Sequence, residues 1–572
     1  MSRNTGLTTA GCCVAGRGRG AMSALRGRIP AILLIGMMGG VCAQPRLERV
    51  GVEGEPVELS LQKTLLMALE ENPDLLISKA RVEAEEMNLL SKTGAFDLRL
   101  SGDFSYLSNT VPVGSVLAGG PTGKVSTHDL SGTFTVGKNL AFGGFWSLSF
   151  ESRRSTTSNV FSQLDPQFPS RLNLSWELPL GKNLFIDSNR LQIRVASKNV
   201  ERSQAELRQQ VLDTVTAVRI AYWSLVQARE TVRVQQEAVE LARAQLGRNQ
   251  RLLKAGQAAK VDVIEAEAEV ARRQENFLSS LETVTGTENQ LKQLILGSRG
   301  ADLWNRELHP LDREEQGLRE VELSQAWSIA RANRPELEVL RTREEIQRTQ
   351  TQYFSDQTKP DIDLVASYGI NGLAGEERTQ GNPFSIQNAL LASRVNALSA
   401  LAQLPPLPVA PPSTLPDRLL GDLGRSLGTL FSNDFRTAQI GVRINLPVFN
   451  RKARGELGVS RARERELKAT RVSLEQAIEA QTRNALQAVR TAHQRVEAAR
   501  SARRAGKAKL ESETRLFQAG ETTNFLVLTR QNEYTLSRGR EVEAEMDLNK
   551  AIANLQRTLG NATQSFHIQI QP

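Results

Sequence analysis

Four stretches of the chain alternate apolar and polar residues with a period of two. Leu98, Leu100, Phe104 and Tyr106 interleave with Arg99, Ser101, Asp103 and Ser105. Leu172, Leu174, Trp176, Leu178 and Leu180 interleave with Asn173, Ser175, Glu177 and Pro179. Ile362, Leu364, Ala366, Tyr368 and Ile370 mark a third stretch, and Ala438, Ile440, Val442, Ile444, Leu446 and Val448 a fourth. Period two puts each apolar set on one face of a strand. Strands are therefore expected at 97–107, 171–180, 361–370 and 437–448. A fifth stretch, 129–151, reads as a hairpin carrying Leu130, Phe134 and Val136, then Trp146, Leu148 and Phe150. A soluble β-sandwich alternates in this way, and so do the ten-residue strands of a membrane barrel.

The pattern then changes period. From Asp187 to Gln250 there is no proline and one glycine, Gly247, while Val211, Val215, Val218, Tyr222, Leu225, Ala228, Val232 and Val239 recur at helical spacings. Leu467, Leu474, Ile478, Ala485, Val489, Ala492, Val496 and Ala499 do the same further on. These are heptad-like seams, and their alanines permit close helix approach. Such a rod is roughly 95 Å long, beyond the diameter of an ordinary domain. Each rod breaks at a glycine, Gly256 or Gly520, and a second helical run returns to Leu296 or Leu559.

The two series of elements are copies. VELSLQKTLLMALEENPDL (57–75) returns as VELSQAWSIARANRPEL (321–337), LNLSWELPL (172–180) as IGVRINLPV (440–448), and RLLKAGQAAKVDV (251–263) as RLFQAGETTNFLV (515–527). The offset, about 264 residues, is too long for a solenoid repeat. The chain divides into a leader 1–43, a first repeat 44–300, a linker 301–320, a second repeat 321–560 and a tail 561–572. Residues 371–434 form a long connection in the second repeat, with six prolines from Pro405 to Pro416. Its apolar pieces, Ala389–Leu401 and Leu419–Phe431, are candidates for packing against the end of the strands.

Charge and cysteine content narrow the reading. The 572 residues carry 72 Lys and Arg against 63 Asp and Glu. Arg3, Arg17, Arg19, Arg26 and Arg28 lie in a leader without acids; without them the balance is 67 against 63. No concentrated basic face remains for nucleic acid. Arg26 and Arg28 precede an apolar run from Ile29 to Val41 and a small residue, Ala43, before Gln44. That is the plan of a secretory signal peptide, with Met22 as an alternative start. Thirteen apolar residues are too few for a membrane anchor; lipid attachment after a cut before Cys42 is the other alternative. Cys12, Cys13 and Cys42 all lie in the leader, so cleavage leaves no disulfide or thiolate chemistry. An exported chain without an apolar run of 18 residues is either soluble or a β-barrel.

Taken together, the duplicated helix–strand–helix halves, the strand-ending LPL and LPV and the Ala-Gly tips resemble the TolC-like outer-membrane efflux proteins from Val57 to Gly560. The resemblance implies an α+β membrane protein: a homotrimer whose strands close one barrel in outer-membrane lipid and whose helices continue it as a long periplasmic tube. It implies an inner-membrane pump and a periplasmic adaptor (membrane fusion protein) as partners, and export of small toxic molecules such as drugs or metals. A type I protein-secretion duct is the alternative within the class, and a periplasmic coiled-coil structural protein the remote one. The family pattern has four strands per chain, so the 129–151 hairpin either elaborates the usual barrel, which is the favoured reading, or brings the count to six strands per chain and a wider barrel.

Candidate residues follow the same division. Gly256 and Gly520 suit helix C-caps, and the resemblance adds that Leu252, Leu253, Leu516 and Phe517 around them meet the adaptor. Asp262 and Glu265 are candidates for a periplasmic constriction, where threefold symmetry would ring carboxylates around the axis; the second-copy positions hold Leu526 and Thr529. Asp262 as a plain helix-start residue is the competing reading. Pro179 and Pro447 mark strand-to-helix transitions, because proline lacks a ladder donor. Trp146, Trp176 and Tyr106 are candidates for an interfacial aromatic belt. His128, His309, His493 and His567 are scattered, and there is no HExxH, GxSxG or Walker loop, so neither catalysis nor a cofactor or metal is expected.

Overall fold

The computed structural model describes residues 49–562 apart from 54, 115–122, 314–320, 379–382 and 408–414, and the backbone alone for 383–386. The expected signal peptide lies outside the described residues, as do 563–572 of the tail. Gly51–Pro572 forms one unit.

The first repeat begins with strand β1 (Val57–Leu59), then α1 (Leu61–Glu71) and α2 (Pro73–Thr93). Four strands follow: β2 (Arg99–Pro112), β3 (Lys124–Asn139), β4 (Phe145–Thr157) and β5 (Leu164–Pro179). The rod α3 (Ser188–Lys254) and its return α4 (Lys260–Ile295) complete it. A short strand, β6 (Leu308–Pro310), pairs in parallel with β1. The second repeat holds α5 (Leu323–Asn333), α6 (Pro335–Asp356), β7 (Asp361–Glu377), α7 (Pro383–Leu401), α8 (Leu423–Phe431), β8 (Arg436–Asn445), α9 (Arg451–Ala519) and α10 (Asn524–Leu559). At 67 and 69 residues, the rods are about 100 Å long.

One rule assembles the helices. Each rod is flanked along its length by two shorter helices set end to end. Asn72 makes the first splice: its Oδ1 accepts the N–H groups of Asp74 and Leu75 while its Nδ2 donates to the Leu294 carbonyl at 2.8 Å. One side chain thus caps the start of α2 and the end of α4, two sets of orphaned backbone groups. Arg334 repeats the device, donating from Nε to the Thr558 carbonyl at 2.9 Å, where α10 ends and α6 begins. The columns then run α4/α2, α3, α10/α6, α9. Ion pairs cross the α3–α6 seam (Arg208–Glu338 2.6 Å, Lys198–Glu345 2.9 Å) and the α6–α9 seam (Arg471–Glu344 2.6 Å).

The main hydrophobic cluster sits midway along α3, where Val211, Val218, Tyr222, Trp223 and Leu225 meet Leu59, Leu65, Leu291 and Leu308. Tyr222 Oη donates to Asp312 Oδ2 at 2.8 Å and lies 3.1 Å from the Leu59 carbonyl oxygen, and the Asp312 carboxylate accepts the Leu61 N–H at 2.7 Å. The β1–β6 strap is tied to the rod through this phenol and through Arg229, which bonds Glu307 at 2.9 Å and His309 at 3.3 Å. Burial pushes the Tyr222 hydroxyl well above the ordinary phenol range, so it stays a donor at every physiological pH.

The sheet corrects two expectations. Its six strands run β2-β3-β4-β5-β7-β8, all antiparallel. The 129–151 hairpin is longer than expected, spanning 124–157, and belongs to the sheet: it pairs with β2 on one side and β5 on the other along nearly its whole length. The connection expected from residue 371 begins later, because β7 continues to Glu377 and pairs with β5 up to Leu164. Of the two apolar pieces of that connection, α8 packs on β5 and β7, whereas the described side chains of α7 are largely exposed.

Candidate functional site

Register turns the zigzags into rows. Leu100, Val136, Leu148, Leu174, Tyr368 and Ala438 lie side by side across all six strands. Their neighbours in sequence form the opposite row: Arg99, Gly137, Ser147, Ser175, Ser367 and Gln439. The next apolar rows hold Phe134, Phe150, Leu172 and Ile370 on one side, and Trp146, Trp176, Ala366 and Ile440 on the other. Polar rows behind them are stitched by hydroxyls, Ser105–Ser131 at 2.7 Å and Ser147–Ser175 at 2.6 Å, and by the Arg443–Glu177 ion pair at 2.9 Å.

The apolar face is uncovered in the single chain. Phe104, Trp176 and Ile440 are 73%, 50% and 82% exposed, so it is not the inner face of a sandwich. From Ile362 to Ile370 it runs about 26 Å along the strand, which at a tilt of about 40° rises about 20 Å, most of the height of a membrane barrel's apolar band. Past the outer end of this band lies α8. Ser426 Oγ meets Ser170 Oγ at 2.8 Å, Thr429 Oγ1 accepts the Leu373 N–H at 3.1 Å, and Leu430 is fully buried. Gly372 makes the approach possible, since a Cβ there would stand 2.3 Å from the Ser426 carbonyl oxygen. Trp146 and Trp176 pair near the opposite, helix-bearing end of the band, whereas Tyr106 stacks on His128 towards the outer end.

At that end strands pass into rods. Pro179 is the last residue of β5 and Pro447 lies two residues beyond β8. Asp187 caps α3 by accepting the Arg190 N–H at 2.9 Å. The β3–β4 turn also lies here, Asn139 donating to the Ala95 carbonyl at 2.7 Å. The strand ends Pro112 and Lys124, Thr157 and Leu164, and Glu377 lie at the other end of the sheet.

The far ends of the rods carry the same cap twice. Gln257 N–H donates to the Leu252 carbonyl at 2.8 Å and Gly256 N–H to Leu253 at 3.0 Å. Glu521 and Gly520 repeat this onto Leu516 and Phe517, at 3.0 and 3.2 Å. Both are Schellman motifs. Gly256 and Gly520 have φ of +74° and +80°, with open space where a Cβ would be; the demand is conformational, not steric. Leu253 and Leu516 are exposed, Leu252 and Phe517 partly so, and Arg248 lies over the Phe517 ring at 5.5 Å, joining the two tips.

Asp262 is the third residue of α4. Its carboxylate accepts the Ala259 N–H at 3.0 Å and its carbonyl accepts from Asn249 Nδ2 at 3.0 Å. Glu265 is exposed, one turn further on.

A feature invisible in the sequence joins the two hairpins just behind the tips. Gln245 Nε2 on α3 donates to Asn524 Oδ1 on α10 at 2.8 Å and to Asn249 Oδ1 at 3.1 Å, and all three amides are buried. Further along the same seam stand Glu237–Arg538, Gln227–Lys550 at 2.7 Å and Asp213–Arg557 at 2.6 Å. Arg273 adds a bond from α4 to Asn532 at 3.1 Å. Burial by itself would raise the Glu269 carboxyl; hydrogen bonds from Arg272 and Arg273 outweigh it and hold the group below the ordinary carboxylate range. Among the described residues no His, Cys, Asp and Glu cluster suits a metal ion, and no helix is long and apolar enough to cross a membrane.

A sheet with one lipid-compatible and one water-compatible face, continued by 100 Å rods, defines a barrel-and-tube channel protein. The family model described as "Outer membrane efflux protein" matches residues 146–297 and 326–561, and the chain belongs to that family: it is an outer-membrane efflux channel of the TolC type, with a periplasmic helical portion. The solved structures of the outer-membrane channel OprN (15% identity, 88% of this chain and 90% of that one, TM-score 0.59) and of Campylobacter jejuni CmeC (14%, 88% and 86%, 0.58) share the fold. Vibrio cholerae VceC does so at 16% identity, 87% and 96% coverage and a TM-score of 0.57. No curated protein matches the chain.

Proposed function

We propose that three copies close head to tail into a passive conduit carrying small toxic molecules from an inner-membrane pump and periplasmic adaptor to the exterior. One observation carries this reading: each chain is an open strip with complementary edges. Within the chain the long α3 packs against the α10/α6 column; at the flanks, among the described residues, α9 has no column beyond it and the α4/α2 column has no second rod. The alternation continues only if α9 of one copy meets α4/α2 of the next. Such a heterologous contact closes rings. The sheet likewise ends in unpaired β2 and β8 edges, which lipid does not tolerate.

In this reading the capped tips around Leu252, Leu253, Gly256, Leu516, Phe517 and Gly520 receive the adaptor's helical hairpins. Docking parts the Gln245–Asn524 seam, and the mouth dilates. Asp262 serves chiefly as the cap of α4, and any cation effect at the mouth comes from three such groups near the axis. The pump sets the cargo, and no bond is made or broken in the conduit. Deleting the gene should sensitise cells to exported toxic compounds. Unchanged sensitivity across a broad panel, with protein secretion also intact, would refute the assignment.

A further inference from the structure

We infer that the β3–β4 hairpin is barrel wall, so that three copies enclose an eighteen-stranded barrel in place of one built from four strands per chain. The inference rests on the trimeric reading above, and three observations carry it.

The first is register. The hairpin is wedged between β2 and β5, which it separates completely. The second is facing. Val136 and Leu148 continue the apolar row from Leu100 to Leu174, while Gly137 and Ser147 continue the polar row from Arg99 to Ser175. A hairpin lying on the barrel surface or in its lumen would have no reason to keep both faces in phase with four other strands. The hairpin's short turn lies at the helix-bearing end and its two open strand ends, Lys124 and Thr157, at the other, as barrel strands require.

The third is size. With strands about 4.8 Å apart and tilted about 40°, eighteen strands give a backbone radius of about 18 Å and twelve about 12 Å. Four columns per chain make a tube of twelve, and at helix spacings of about 8–10 Å its radius is about 15–19 Å. Six strands per chain match the tube they join; four would have to splay further. Barrels of this strand number leave an aqueous channel, so the outer exit does not limit cargo size, and the constriction belongs at the rod tips.

The test uses the full chain with Cys12, Cys13 and Cys42 replaced by serine and single cysteines introduced at facing pairs. These are Val136→Cys and Thr135→Cys in β3, Leu148→Cys and Ser149→Cys in β4, with Leu174→Cys and Ser175→Cys in β5 and Ile440→Cys and Gln439→Cys in β8 as references. Fluorophores at 136, 148, 174 and 440 should be quenched by brominated lipid, and those at 135, 149, 175 and 439 by aqueous iodide. Alternation in β5 and β8 without it in β3 and β4 overturns the inference and leaves the channel standing. Loss of alternation at all eight sites overturns the channel reading itself. End-on electron cryomicroscopy of the same protein in lipid discs should count eighteen strands; a ring of twelve overturns the inference.

Discussion

The two repeats are alike at one end and unlike at the other. At the tips, residues about 264 apart make the same cap, with the same donors, acceptors and positive-φ glycine. In mid-rod they diverge: Tyr222 and Trp223 are fully buried and pack edge to face at 5.3 Å, whereas their counterparts are Leu486, on the margin of a smaller cluster, and the exposed Gln487. At the sheet they diverge most, one repeat supplying four strands and the other two strands and a long helical connection. The difference teaches where duplication is constrained. Both tips must reverse a rod in the same way, so the local chemistry is kept. The middle is asymmetric because α3 lies inside the strip and α9 at its flank, and strands can be added in pairs without disturbing either edge.

Substitutions can break this comparison in order of expected effect. Trp223→Ala should destabilise the protein by about 3–5 kcal/mol, and Gln487→Ala by less than about 0.5 kcal/mol, read from chemical denaturation in detergent. Equal costs would mean that the repeats share one packing scheme. Leu174→Arg on the apolar face should cost about 2–4 kcal/mol in lipid, and Ser175→Arg on the polar face far less, measured by unfolding from vesicles. Gly256→Ala and Gly520→Ala should each cost about 1–2 kcal/mol; a clear inequality between them would show that the two caps are equivalent in geometry alone. The smallest effect concerns Glu269. Its folded-state carboxyl is depressed, so its contribution is present above the unfolded carboxylate pKa and disappears as pH falls through the depressed value. Glu269→Gln should lower stability slightly at neutral pH and leave it nearly unchanged at acid pH, so that the acid limb of the stability profile flattens.

Much of this was legible in the sequence, for definable reasons. Rods and zigzags announce themselves because burial on one face imposes a period, and the glycines and repeat landmarks fix the breaks. Partner choice was not legible. Leu130, Phe134 and Val136 show that a strand exists, but not that it separates β2 from β5, since alternation fixes facing and leaves neighbours open. The splices at Asn72 and Arg334 and the Gln245–Asn524 bond join residues more than two hundred positions apart in polar surroundings, where no periodicity marks them. The one available signal was the repeat itself, in which Asn72-Pro73 and Arg334-Pro335 occupy the same place. Helix α8 was readable only as an apolar piece; that it seats Ser426 over Gly372 depends on the sheet beneath.

The central claim is that sheet and rods form one continuous hollow cylinder built from several copies of this chain. Single-channel recording of the purified full-length protein in planar bilayers tests it most directly. Discrete, long-lived current steps are expected, larger in the Gln245→Ala, Asn524→Ala double variant than in the parent. A well-folded protein that inserts into the bilayer yet passes no current, in the parent and in the double variant alike, would contradict the account.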